Sequence, residues 1–365
     1  MRKIILIITV FVGLIGIFLW VFLNRPKPDL ETKFVQNVRQ EIEKNVNPDV
    51  SIISPGESAL VENSYHVYQT FNNCGPATLS MILNMFGVKA SQKELGDQIR
   101  PYQIASGDND DKTIFTYEFV EWAKHYDLEA VDRRNGDIEL LKRFTANGIP
   151  VVVKTWLHPG EDIGHFRIVR GFDEGSKVII QDDSYEGPNK KILYYDFLSM
   201  WQPFNYDYMI VYKPEQENLI MSILGEESDE QTAWSNALAR AEKEMSVDPE
   251  NIYPGFNIAS AAYHLGDYQR SIEEFEKVEN RLPKRMLWYQ IEPILAYQKL
   301  GKYDRVFEIS SRIINGGNRA FSELYMIMGE IYLEQNDSTK AKEQFELALL
   351  YNKNFEAAKK ALNSL

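Results

Sequence analysis

The residue best suited to covalent chemistry in this chain is its single cysteine. Cys74 is the only cysteine among 365 residues and lies in the run Asn-Cys-Gly-Pro-Ala over residues 73–77. A cysteine thiolate is a nucleophile, and its pKa falls beside a helix N-terminus or a histidine. Because a free cysteine is otherwise a small buried hydrophobe, its position and partners decide between the two roles.

The sequence after Cys74 predicts the helix that would position it. Four apolar residues recur at helical spacing, namely Leu79, Ile82, Leu83 and Phe86. Pro76 suits a first helical turn, and Gly87 suits a helix end. Cys74 then lies at the helix N-terminus, where unpaired backbone N–H groups and the positive end of the helix dipole favour a thiolate and an oxyanion.

A predicted hairpin supplies a base and a carboxylate. Strands over 165–172 and 177–181 are joined by a short polar turn, so His165 lies near Asp182 and Asp183. A carboxylate beside an imidazole orients the ring and stabilises its charged form. A four-residue turn places Asp182 on the face of His165, whereas a turn of three or five residues places Asp183 there. Both aspartates remain candidates on this reasoning.

The remainder of residues 58–214 predicts an α+β domain. Helices are expected early, over 92–99, 113–126 and 137–146, and further strands over 149–156 and 208–212. Helices followed by an antiparallel meander are typical of that class.

These motifs together resemble a known family. The Asn-Cys-Gly-Pro-Ala run, the Gly164-His165 step and the aspartate after the next strand are similar to papain-like cysteine peptidases related to the double-glycine leader peptidases of bacteriocin exporters. The chain resembles their stand-alone branch, since no transporter follows, and the likeness covers about residues 65–212. It implies a papain-like fold and hydrolysis of peptide bonds.

The resemblance also implies roles for individual residues. Cys74 matches the nucleophile, His165 the base, and Gln69 the glutamine that helps to form the oxyanion hole. Gln69 stands five residues before the cysteine, where papain-type enzymes usually have six. The family's aspartate is usually followed by proline; Asp183-Ser184 occupies that place here, which favours Asp183 over Asp182.

The C-terminal part repeats itself. Three inter-helix turns recur at intervals of 35 residues, beginning at Leu265, Leu300 and Gln335. This spacing resembles tetratricopeptide repeats, which are paired helices of about 34 residues. The middle unit departs from the pattern, with Pro293 inside its predicted first helix. An all-α solenoid over 228–365 is expected to bind a protein partner, the alternative being an architectural spacer.

The N-terminus predicts a membrane anchor. Residues 4–23 carry no charge, and twenty residues of helix span about 30 Å, the thickness of a bilayer core. We therefore expect a single-pass anchor over 1–28, a stalk over 29–57, a linker over 215–227, and the main domains outside the cytoplasm. Free thiols are unusual in such compartments, which favours a reactive Cys74.

Composition limits the other function classes. A net charge of −13 argues against nucleic-acid binding. The polar cluster of His158, Glu161, Asp162 and His165 lacks the ligand spacing of a catalytic zinc site, so no metal or cofactor is expected. Two alternatives to a peptidase remain: an inactive peptidase-like binding protein, and a related acyl transfer such as a transglutaminase-like or amidase reaction.

Overall fold

Among the residues that the structure describes, seven antiparallel strands organise the part of the chain before the helical region. The computed structural model describes residues 51–102 and 114–365, so the predicted anchor lies outside the described residues. The strands are β1 (Ser58–Leu60), β2 (Glu129–Arg133), β3 (Val151–Trp156), β4 (Gly164–Asp173), β5 (Val178–Asp183), β6 (Gly187–Leu193) and β7 (Tyr208–Tyr212). Their order is β2-β7-β3-β4-β5-β6, and β1 pairs with β4.

Helices cover both faces of this sheet. One group is α1 (Cys74–Met85), α2 (Gln92–Ile99) and α3 (Thr116–Lys124); the other is α4 (Ile138–Ala146), α5 (Tyr194–Trp201) and α6 (Glu217–Leu224). Successive side chains of β3 point to opposite faces of the sheet, so each helix group has its own hydrophobic core. Val152 packs with the first group, and Val151 and Val153 pack with the second. The fold is therefore α+β, as predicted.

The main local predictions hold. The helix after Cys74 is present, and the Ser91–Glu94 capping box opens α2. The predicted hairpin is β4–β5. Strands β2 and β6 were not predicted, because both are rich in charged residues and β6 contains Pro188. Their positions explain this composition, since β2 and β6 end the strand order, where prolines and lysines are tolerated.

The segment predicted as a linker, 215–227, is ordered. It contains α6, whose residues Ile220, Ile223 and Leu224 are buried in the core of the sheet domain. The short apolar patch in this acidic stretch is therefore the buried face of a helix.

The C-terminal part consists of helices. They are α7 (Glu230–Val247), α8 (Ile252–His264), α9 (Tyr268–Val278), α10 (Met286–Tyr289), α11 (Glu292–Lys299), α12 (Tyr303–Asn315), α13 (Ser322–Glu334), α14 (Ser338–Tyr351) and α15 (Glu356–Asn363). The three predicted turns contain Gly266, Gly301 and Asn336, each with positive φ, between 61° and 83°. Glycine and asparagine adopt this conformation most readily, which explains the recurring turn.

Pro293 corrects one expectation. The sequence places it inside the first helix of the middle unit, whereas the structure places it in the first turn of α11. The helical segment is broken before it, since α10 ends at Tyr289 and α11 begins at Glu292. A proline lacks an N–H and clashes with the preceding turn, so the chain restarts its helix at this point.

The helical region packs directly on the sheet domain. Trp156 and Phe204 share one hydrophobic cluster with Phe256 and Tyr289 of the helices. The side chain of Asn257 donates to the Gln202 carbonyl at 2.8 Å. Within residues 51–102 and 114–365, no helix is both long and apolar enough to cross a bilayer.

Candidate active site

Cys74 is the first residue of α1. The residue before it, Asn73, does not cap the helix with its side chain, which instead donates to the Gln92 carbonyl at 3.2 Å. The first backbone N–H groups of the helix are therefore not taken by a side-chain cap. Gly75 allows the helix to start close to the segment before α3, because a Cβ there would lie 2.8 Å from the Ile114 side chain.

His165, at the start of β4, contacts both Cys74 and Asp183. Its side chain lies beside the Cys74 thiol in the same cleft, and each group acts on the charge of the other. Its Nε2 lies 2.8 Å from Asp183 Oδ1, which leaves Nδ1 as the ring nitrogen for the thiol. The imidazole is 2% exposed, so solvent does not compete for these contacts. The structure thus brings the thiol, the imidazole and the carboxylate together.

The electrostatics favour an ion pair between thiol and imidazole. Burial opposes a charged thiol, but His165, the Phe166 backbone and the charge of Arg100 together hold the pKa of Cys74 below its ordinary value. Burial likewise opposes a charged imidazole, but Asp183 and Cys74 raise the pKa of His165 to about 8. Both shifts act in the direction of a thiolate paired with an imidazolium.

Asp183 is held as a carboxylate. Its Oδ1 accepts from the backbone N–H groups of Tyr185 at 2.7 Å and Glu186 at 3.0 Å. Its Oδ2 accepts from Arg167 Nη1 at 2.6 Å. Burial opposes its charge, but His165 and Arg167 hold the pKa of Asp183 well below its usual range. The group beside His165 is thus an ionised acceptor.

A β-bulge decides which aspartate faces His165. Asp173 pairs with Val178 across a four-residue turn, which by parity would favour Asp182. The register shifts by one residue at Arg170, so that beyond it Arg167 pairs with Asp183.

Asp182 consequently points to other partners. It forms an ion pair with Arg170 at 2.8 Å and accepts from Asn63 at 2.8 Å and from the Asn189 N–H at 2.9 Å. Its role in the structure is therefore to join the bulge to two neighbouring segments.

Gln69 lies in the same cleft as Cys74 and His165. Its Oε1 accepts from the Ser184 hydroxyl at 2.8 Å, and its backbone N–H donates to the Ser184 carbonyl at 2.8 Å. Because Oε1 is bound by Ser184, the Nε2 donor is the part of the amide that remains for a substrate oxygen. Ser184 thus anchors Gln69 from the position after Asp183.

The cleft around these residues has a volume of about 500 Å³. Its wall also includes Lys154 from β3, and Trp288 and Tyr289 from the helical region. Arg167 and Tyr289 were not identified from the sequence. The sequence contains a cue for Arg167, because an arginine stands two residues after His165 in an apolar strand. It contains no such cue for Tyr289, which lies more than a hundred residues away in the helical region.

His158 has partners other than Cys74, His165 and Asp183. It contacts Glu161 at 3.1 Å and Glu186 at 2.7 Å. Although partial burial opposes its charge, these carboxylates raise the pKa of His158. Across the described ranges, 51–102 and 114–365, no group of acidic, histidine or cysteine side chains is arranged to hold a metal ion.

Comparison with known proteins finds a family match in each part of the chain. Residues 59–209 match the profile of the Peptidase_C39 like family, and residues 322–355 match a tetratricopeptide repeat. No curated protein sequence gives a significant match.

Solved structures with local similarity include both kinds of domain. A double glycine motif protease from an AMS/PCAT transporter in complex with its leader peptide is 18% identical, covering 44% of this chain and 99% of that one, with a TM-score of 0.32. The peptidase domain of Streptococcus ComA is 20% identical, covering 40% and 96%, with a TM-score of 0.32. The repeat protein neighbour MamA is 16% identical, covering 36% and 76%, with a TM-score of 0.33.

The matched range 59–209 contains Gln69, Cys74, His165 and Asp183, and the matched range 322–355 contains the helix pair α13 and α14. This chain therefore carries a domain of the Peptidase_C39 like family, followed by a helical region with a tetratricopeptide repeat.

Proposed function

We propose that this protein is a membrane-anchored cysteine peptidase that hydrolyses peptide bonds through Cys74, His165 and Asp183. The observation that carries the proposal is the position of His165, which lies beside the thiol at the start of α1 and hydrogen-bonds to the carboxylate of Asp183. A buried imidazole held between a thiol and a carboxylate is suited to move a proton in both directions.

Each residue has one role in the proposed reaction. The Cys74 thiolate attacks the carbonyl carbon of the scissile bond. The resulting oxyanion accepts hydrogen bonds from the Cys74 backbone N–H and from Gln69 Nε2. The protonated His165 then donates its proton to the leaving amine, which departs and leaves a thioester on Cys74.

Hydrolysis of the thioester completes the cycle. Neutral His165 accepts a proton from water, and the hydroxide attacks the thioester carbonyl. The acid product leaves, and the thiolate and the imidazolium are restored. Asp183 stays ionised throughout and stabilises the imidazolium each time it forms.

The other parts of the chain complete the proposal. The apolar N-terminal segment, 4–23, anchors the protein with its main domains outside the cytoplasm. The helical region, which contains the matched repeat, contacts a protein or peptide partner. Substrates are peptides or proteins.

Thiol reactivity and peptide cleavage test this proposal. In the full-length protein in detergent, Cys74 should react with iodoacetamide well below pH 8.5, the pKa of an ordinary thiol, and His165→Ala should remove this advantage. A peptide library analysed by mass spectrometry should show cleavage that Cys74→Ala abolishes.

The two readouts separate the alternatives. If Cys74 titrates as a free thiol in the parent protein, the peptidase proposal fails and a binding function replaces it. If the thiol is activated and amides are exchanged rather than hydrolysed, the chain is an acyl transferase.

A further inference from the structure

The helical region reaches into the cleft at Tyr289. Its ring packs against Gly164, the residue before His165. A Cβ at Gly164 would lie between 2.8 and 2.9 Å from three carbons of that ring. Non-bonded carbon atoms do not approach a Cβ this closely, so the ring fits in this position because residue 164 has no side chain. The sheet domain and the helical region are thus fitted together next to the proposed base.

The Tyr289 hydroxyl lies close enough to the Gly164 backbone and to Cys74 for both to act on its charge. Burial, to which the Cys74 charge adds, raises the pKa of Tyr289, so its hydroxyl stays protonated beside the cleft. Tyr289 is therefore a neutral group close to the reacting sulfur.

A second contact holds the loop that leads into β4. Arg285 lies 2.5 Å from Asp162 Oδ1 through Nη1, and its backbone N–H donates to Asp162 Oδ2 at 3.2 Å. Asp162 precedes Gly164 by two residues. The turn of chain before His165 is consequently held at two points by the segment 285–289.

The sequence explains why this segment is available. Pro283 and Pro293 bracket it, and a proline ends or restarts a helix. The short helix α10 therefore stands apart from α11 and directs Trp288 and Tyr289 toward the sheet domain, where both line the cleft. The irregularity of the middle repeat coincides with this contact.

We propose that Tyr289 is a positioning residue for the candidate catalytic centre. By packing against Gly164, Tyr289 holds His165 between Cys74 and Asp183. The helical region thereby completes the active site, in addition to contacting partners. This inference rests on the proposed pairing of Cys74 with His165.

A double-variant cycle tests the contact. Gly164→Ala and Tyr289→Ala are made separately and together in the full-length protein, and the rate of Cys74 alkylation by iodoacetamide is measured against pH. A displaced His165 raises the thiol pKa, and one unit of pKa lowers the thiolate fraction about tenfold at pH values below the thiol pKa. Each single change should lower the rate about tenfold.

The double variant distinguishes contact from independent damage. Removal of the ring makes room for the new Cβ, so the double variant should react no more slowly than Tyr289→Ala alone, whereas independent effects would multiply to about a hundredfold. Tyr289→Phe keeps the ring and should retain most of the reactivity. Tyr332→Ala, at a half-buried tyrosine of α13, is the matched control and should behave as the parent.

Folding is followed by circular dichroism. If Tyr289→Ala does not fold, Tyr289→Leu replaces it, alone and with Gly164→Ala. If the parent has an activated thiol and both single variants keep it, this inference is overturned and the proposed function remains. The same conclusion follows if the rate losses of the two single variants multiply in the double variant. A free-thiol profile in the parent overturns both.

Discussion

Arg167 donates to Asp183 Oδ2 at 2.6 Å and so leaves Oδ1 to His165. Both members of the Arg167–Asp183 pair are almost completely buried. Each charge in such a pair depends on the other, because an unpaired charge in the interior is costly. The carboxylate that orients the proposed base is therefore also part of the stability of the fold, and the two roles need separate measurements.

Replacement of Asp183 by asparagine should affect reactivity and stability together. Without the negative charge, the pKa of His165 falls and that of Cys74 rises, so alkylation at pH 6.5 should slow by about tenfold or more. The buried Arg167 loses its counter-charge, at a cost of about 3 kcal/mol. Alkylation rates and urea unfolding of Asp183→Asn measure the two effects.

Asp182→Asn is the matched control. It removes the counter-charge of Arg170, also buried, and should cost similar stability. Since Asp182 does not contact His165, the alkylation profile should stay that of the parent. Equal loss of reactivity in the two variants would show that Asp183 acts only through folding.

The pH dependence of stability should show the shifted pKa of His165. Its pKa of about 8 lies above the ordinary value of 6.5, so the folded state binds the proton more tightly. The resulting stability is fully present below pH 6.5 and is lost as pH rises through about 8. In a Cys74→Ala background, the difference in unfolding free energy between His165 and His165→Gln should therefore be larger at pH 6 than at pH 9.

The Cys74→Ala background is needed because the titration of Cys74 changes stability with pH in the opposite direction. A lowered thiol pKa adds stability at pH values above the ordinary thiol pKa, and this stability is lost as pH falls. Asp183 remains as the partner of His165 when the thiol is removed. A pH-independent difference between the two proteins would show that Asp183 alone does not raise the pKa of His165 against the effect of burial.

Gln69 should matter for acyl transfer but not for alkylation. Alkylation by iodoacetamide forms no oxyanion, whereas acylation of Cys74 by p-nitrophenyl acetate does. Loss of one oxyanion donor typically costs about 100-fold or more. Gln69→Ala should therefore slow the release of nitrophenol strongly while the alkylation rate stays within about twofold of the parent.

Ser184→Ala tests how Gln69 is oriented. Removal of the hydroxyl releases Oε1, so the amide can rotate and acylation should slow by a smaller factor than in Gln69→Ala. Thr at this position keeps a hydroxyl and should recover part of the rate. Parent-like acylation in both Gln69→Ala and Ser184→Ala would remove Gln69 from the proposed oxyanion hole.

The predicted anchor is tested by fractionation. The full-length protein, expressed in bacteria, should sediment with membranes and resist extraction by high salt and carbonate, while detergent releases it. A chain starting at residue 29 should stay in the supernatant. Replacement of two central residues, Gly13 and Gly16, by lysine should weaken membrane retention, and recovery of full-length protein from the supernatant would contradict the anchor.

Local sequence patterns determined a large part of this structure. Helical periodicity, Pro76 and Gly87 predict the helix that begins at Cys74, because capping and side-chain spacing act over a few residues. The recurring turns at Gly266, Gly301 and Asn336 predict the helix pairs for the same reason. The hairpin that brings His165 near the aspartates also follows from strand and turn signals.

Tertiary structure decided which groups meet. The bulge at Arg170 turns Asp183 rather than Asp182 toward His165, and a one-residue register shift leaves no mark in strand propensity. Arg167 becomes a partner of Asp183 only through cross-strand pairing. The sequence by itself determined the helix that begins at Cys74 and the repeating turns. The placement of Tyr289 against Gly164 depends on the packing of one region on another, a long-range effect that no local pattern encodes.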